Sequence, residues 1–112
     1  MNKTMMRSAK GLLTGLDGKR TAAVCMKKLV DSGDSSLEPR LKRTLADIEV
    51  TEMALAALSG RDREVLTEFY VNRDEESVDR LAKRLCCGRS TVYRMQREAM
   101  SHFVLHVFGC ED

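Results

Sequence analysis

The sequence predicts an all-α fold, a helix-turn-helix domain preceded by an N-terminal helical extension. Three observations predict it. A single proline among 112 residues leaves little to interrupt helices built from Leu, Ala, Met, Lys, Arg and Glu, all strong helix formers. No alternation of apolar and polar residues runs beyond a few positions, so no sheet is expected. Between Val78 and Arg97 the chain reads as two short amphipathic helices around a tight turn, carrying six cations and one carboxylate.

Residues 1–35 read as a basic N-terminal arm and a helix. The first part, to about Leu16, holds Gly11 and Gly15 and shows little consistent periodicity, so a mobile arm with at most a short helix is expected. Arg7, Lys10, Lys19 and Arg20 are candidates for phosphate contact, with a solvated tail as the equal alternative. From about Lys19 to Val30, the residues Ala22, Cys25, Met26, Leu29 and Val30 share one side and predict a helix, closed by Asp31-Ser-Gly-Asp-Ser-Ser.

Residues 36–57 predict one long helix with Pro39 in its first turn. Leu41, Leu45, Ile48 and Leu55 form a seam with coiled-coil-like spacing, which Glu52 interrupts. Packing on the preceding helix or on a second subunit therefore fits better than a long coiled coil.

Residues 58–112 form the predicted helix-turn-helix domain. Ser59 and Asp62 resemble a capping box that opens a helix with Val65, Leu66 and Phe69 inward and an end near Val71. Asn72 to Glu76 is a loop, and Ser77 is the expected N-cap of the next helix, with Asp79 opposing the positive end of its dipole. Val78, Leu81, Ala82 and Leu85 recur at helical spacing, as do Val92, Met95, Ala99 and Phe103 beyond a turn at Cys86 to Gly88. Both stripes can face one core, with Ala82 at the close crossing. The tail from Phe103 to Phe108 is apolar on more than one side, so part of it must pack on the N-terminal region or on another molecule.

Opposite its apolar stripe, the last helix presents Arg89, Ser90, Thr91, Tyr93, Arg94 and Arg97. Arginine grips guanine with two parallel hydrogen bonds, Ser and Thr reach a phosphate or a base edge, and Tyr93 can pack on sugar or a thymine methyl. Arg80, Lys83 and Arg84 on the preceding helix are placed for the phosphate backbone, where cations give affinity without sequence preference. The expected partner is double-stranded DNA.

From Leu58 to Met100, most clearly in Leu58-Ser-Gly-Arg-Asp-Arg-Glu-Val-Leu, Leu81-Ala-Lys-Arg-Leu and Arg89-Ser-Thr-Val-Tyr-Arg, the chain resembles region 4 of bacterial sigma factors. In style it is similar to the small phage regulators of the ArpU and RinA type. The resemblance covers somewhat under half the chain and implies a sigma-like helix-turn-helix in a phage or prophage transcriptional regulator. It also admits a protein-interaction module that binds RNA polymerase or another regulator. Where such proteins commonly carry Gly at the turn this chain has Cys86, and where they often carry a Ser cap it has Gly88. Cys86 must then adopt a conformation that Gly reaches more cheaply.

A formal net charge of +2 hides a segregation: +6 over residues 1–30, −7 over 31–79 and +3 over 80–112. The acidic middle can face away from DNA, or join segments within one chain or across a homodimer. No apolar run reaches membrane-spanning length and no secretory signal is visible, so no membrane contact is expected and a cytoplasmic protein is. Its four cysteines then read as reduced thiols. His102, His106 and Cys110 recur every four residues, but Gly109 is expected to end the helix before Cys110 can align, and no metal or other cofactor is expected. Cys86 and Cys87 read as a turn residue and a small core residue, not as a redox pair. No catalytic constellation is recognisable, so the protein is not expected to be an enzyme.

Overall fold

The computed structural model describes residues 3–109, and among them the structure is all-helical, with no strand. Six α-helices follow one another: α1 (Lys3–Thr14), α2 (Leu16–Asp31), α3 (Glu38–Ala57), α4 (Gly60–Leu66), α5 (Ser77–Arg84) and α6 (Arg89–Phe108). A 3-10 turn, Ser35–Leu37, leads into α3, whose first turn contains Pro39. A π-helical segment, Thr67–Val71, continues α4, and its exit is marked by the Asn72 N–H donating to the Thr67 carbonyl at 2.8 Å.

The N-terminal segment departs from the expected arm. It is a twelve-residue helix in which Ala9 and Leu13 are fully buried. Met5, Ala9 and Leu13 stand four apart and make one apolar line, which Leu16 continues at the start of α2. Glycine costs a helix about 1 kcal/mol per residue, but burying one leucine side chain returns about 1.5 to 3 kcal/mol. Tertiary packing therefore outweighs the local preference that Gly11 and Gly15 express.

That line enters the main core. Ala9, Leu13 and Leu16 pack with Ala54, Leu55 and Leu58 at the end of α3, Leu66 of α4, and Ala99, Met100, Phe103 and Val104 of α6. A second cluster joins Val65, Val78, Leu81 and Val92, with Ala82, Leu85, Cys87 and Met95 against it. One core thus spans both sides of the boundaries expected at 35 and 57. The apolar tail is largely explained as well, because Phe103 and Val104 are buried while Leu105 and Phe108 stay partly exposed.

Helices α2 and α3 form an antiparallel hairpin. Lys19 meets Asp47 at 3.3 Å and Arg20 meets Glu52 at 3.2 Å, so the carboxylate that interrupts the α3 seam is the partner of a cation on α2. From Val24 to Val50 no side chain is buried. The expected seam therefore fails at Leu45, which is 48% exposed, and the residues that α3 buries are Thr51, Ala54 and Leu55 near its other end. Two helices alone cannot enclose a core, and the 53 Å length of the molecule reflects elements of this kind.

Local signals set the helix ends. The Ser59 hydroxyl accepts from the Asp62 N–H at 3.2 Å, as the capping pattern predicts. Ser77 is not the N-cap of α5 but lies inside its first turn, fully buried, with its hydroxyl accepting from the Asp74 N–H at 2.9 Å. The Asp74 carboxylate in turn accepts from the Glu76 N–H at 2.8 Å, so the loop before the helix closes on itself. Arg63 caps α3 from outside, donating to the carbonyls of Leu55, Ala56 and Leu58 at 3.0 to 3.1 Å. Gly109, at φ +75°, ends α6 in the left-handed region.

If α1 is part of the core, Leu13→Ala lowers the unfolding free energy by about 2 to 5 kcal/mol in urea titrations. An unchanged urea midpoint would return the segment to a solvated arm.

Candidate nucleic-acid interface

The turn between α5 and α6 sets the direction of α6. The Cys87 N–H donates to the Ala82 carbonyl at 3.0 Å and the Cys86 N–H points to the Lys83 carbonyl at 3.4 Å. This is the paired bonding of a Schellman end, which places its special residue at Cys86. Cys86 accordingly has φ +54°, the one positive φ among the described non-glycine residues. The departure from Gly noted in the sequence thus carries its expected conformational consequence. Gly88 is extended and gives α6 no side-chain cap, and the first turn of α6 contains no acidic residue. The leading N–H groups of α6 therefore remain available to solvent or to an anion.

Val92, Gln96, Ala99 and Phe103 line the buried side of α6. Ser90, Arg94 and Arg97 fall on the opposite side and are exposed, whereas Thr91 and Tyr93 lie on the two flanks, Thr91 partly covered and Tyr93 37% exposed. Arg97 has no ion-pair partner among the described residues, and neither does Lys83 on α5. Arg94 stands 3.9 Å from Glu98, and Arg89 stands 3.4 Å from Asp79, both pairs being well exposed. Such loose surface pairs contribute little and exchange readily for a phosphate.

Arg80 and Arg84, expected at the phosphate backbone, are each engaged by carboxylates of the protein. Arg80 donates to both oxygens of Asp74, at 3.1 and 2.9 Å, and also pairs with Glu68. Arg84 reaches Glu64 at 2.7 Å. Their charges are answered inside the protein, where they tie α5 to α4, the π segment and the loop. Of the α5 cations, Lys83 alone has no carboxylate partner among the described residues.

The π segment contributes side chains that the sequence reading left out of the site. Phe69 meets Tyr93 edge-on with ring centroids 5.7 Å apart, and the Arg73 guanidinium lies 4.4 Å above the Phe69 ring. A cation from the loop is thereby held near the exposed side of α6. Next to it, the buried Gln96 side chain donates to the Tyr70 hydroxyl, which fixes the rotation of α6. Burial pushes the Tyr70 phenol above its ordinary value, and the Arg73 charge opposes that shift. The legible signal was the adjacent aromatic pair Phe69-Tyr70, of which the sequence analysis placed Phe69 alone, in the core.

Family descriptions, curated proteins and solved structures yield no match to this chain. The site must be read from its own geometry. Among the described residues no group of three His, Cys, Asp or Glu side chains is arranged to hold a metal ion. His102 pairs with Asp62 at 2.6 Å, linking α6 to α4, and His106 borders a shallow groove with Val50, Met53 and Val107. Cys110, the third residue of the spacing seen in the sequence, lies outside the described residues. Among the described residues no helix is long and apolar enough to cross a membrane.

The left-handed turn has a measurable cost. A side chain in that region is disfavoured by about 1 to 2 kcal/mol, of which the greater unfolded-state freedom of Gly cancels about half. Cys86→Gly should raise stability by up to about 1 kcal/mol, and Cys86→Val should lower it, as read by paired urea midpoints.

Proposed function

We propose that the protein is a sequence-specific DNA-binding transcriptional regulator of the phage or prophage type, in which α5, the turn and α6 act as a helix-turn-helix and α6 reads the major groove. The observation that carries this reading is the outward side of α6. It presents Ser90, Arg94 and Arg97 opposite a continuous buried line, with Tyr93 on the flank, at the end of a helix whose first N–H groups are uncapped. The shared cluster of Val78, Leu81 and Val92, with Ala82 beside it, supports a fixed angle between the two helices. The resemblance of Leu58 to Met100 to sigma region 4 favours the same reading.

In this reading Arg94 and Arg97 contact base edges or flanking phosphates, Ser90 and Thr91 assist near the entry of the helix, and Arg89 exchanges Asp79 for the DNA backbone. Tyr93 is oriented by Phe69, and Lys83 and Arg73 add phosphate contacts on either side. Arg80 and Arg84 hold the unit together.

A second reading has one observation in its favour. Val24, Leu29, Leu45, Val50 and Met53 are large apolar residues exposed on the hairpin, Met53 by 65%. Such a surface suits a sigma-like interaction module that meets RNA polymerase or another regulator, or a second copy in a homodimer.

Selection from a pool of random duplexes, followed by titration of the enriched site, tests the first reading. Arg94→Ala and Arg97→Ala should each weaken the selected site by about 1 to 3 kcal/mol where the arginine reads a base, and relax preference at one position. No enriched site, with capture of polymerase that persists at high salt, would favour the second reading.

A further inference from the structure

The helix that replaces the expected arm carries charge that the fold leaves unanswered. Lys3, Arg7 and Lys10 are all exposed, and none has a carboxylate partner among the described residues. With Met6 they line one open groove on α1. Helical geometry puts the three within an arc of about 60° and spreads them over about 10 Å of the axis. One strand of B-DNA presents about three phosphates in that length.

The opposite side of α1 is committed. Ala9 and Leu13 pack with Ala99, Met100, Phe103 and Val104, so α1 is docked on the same helix that carries Arg94 and Arg97. That docking discriminates between polyanions. A basic amphipathic helix binds a lipid surface by inserting its apolar side, and here that side is already buried in the core. What remains exposed is a line of cations, which suits a rigid array of phosphates.

The geometry points to a second nucleic-acid contact: the Lys3, Arg7 and Lys10 stripe binds the phosphodiester backbone of the same duplex, as a clamp fixed to α6 and without sequence preference. This inference rests on the DNA-binding reading. Most other cations of the N-terminal half are differently placed. Lys19 and Arg20 are paired across the hairpin, and Arg40, Lys42 and Arg43 are unpaired but sit on the part of the hairpin that buries no side chain.

The test uses the full chain and a mixed-sequence duplex of about 40 base pairs, with affinity measured between about 50 and 200 mM salt. Three proteins are compared: the unaltered chain, the triple variant Lys3→Gln, Arg7→Gln, Lys10→Gln, and the control triple variant Arg40→Gln, Lys42→Gln, Arg43→Gln. Glutamine keeps the helix propensity of the residues it replaces, and circular dichroism checks that each protein is folded. The α1 variant should lower the slope of log affinity against log salt by about 3, and the control should leave it near the original value. An unchanged slope in a folded α1 variant overturns the clamp while leaving the α6 reading intact. An equal loss in the control overturns it too, since bulk charge would then be the cause. Loss of binding to phosphatidylserine vesicles, with the duplex slope unchanged, would assign the stripe to a membrane instead. Failure of the unaltered chain to bind duplex overturns both this inference and the regulator reading.

Discussion

The structure depends on keeping one side of α6 buried from Val92 to Val104. Its first half is held by Val78 and Leu81 through Val92, and its second half by α1, α3 and α4 through Ala99, Met100, Phe103 and Val104. Neither cluster is large enough to stand as a domain core by itself, so each stabilises the other through the helix they share. The consequence is directional. Rotation of α6 would expose Phe103 at one end and break the Gln96 to Tyr70 hydrogen bond in the middle, so the side carrying Arg94 and Arg97 has a fixed aim.

Polar contacts refine that aim. Gln96 is buried, and its amide must find a partner or lose more than a hydrogen bond returns. The π segment supplies that partner by placing Tyr70 against α6 and the adjacent Phe69 against Tyr93. Arg63 acts similarly where α3 turns into α4, donating to the Ala56 and Leu58 carbonyls and to the Leu55 carbonyl that already accepts the Leu58 N–H.

Much of the helical order was legible. Pro39, the Ser59 and Asp62 pair, and Gly109 are strong local punctuation, and each marks an end where the sequence placed it. The first helix was not legible because Gly11 within it and Gly15 just after it weaken the helical signal, while the leucine that fixes it is paired with residues some ninety positions later. Ser77 misled for a related reason. A serine beside a helix start usually caps it, but here Asp74 organises the loop and the helix begins around a buried hydroxyl. For the candidate site, the exposed positions on α6 follow from its 3.6-residue period. Which arginines are free does not, because pairing depends on side chains that only the tertiary fold brings near.

Charge segregation takes its meaning from that pairing. The acidic middle is partly neutralised from within, since six of its thirteen carboxylates face cations or a histidine on other elements: Asp47 with Lys19, Glu52 with Arg20, Asp62 with His102, Glu64 with Arg84, and Glu68 and Asp74 with Arg80. These contacts cross-link helices, and they answer the charges of Arg80 and Arg84 within the protein. The cations left over are concentrated on α1, on the outward side of α5 and α6, and on the hairpin. A small net charge is therefore compatible with a strong local positive field, because the neutralised pairs lie between elements and the unneutralised cations lie on their outer sides.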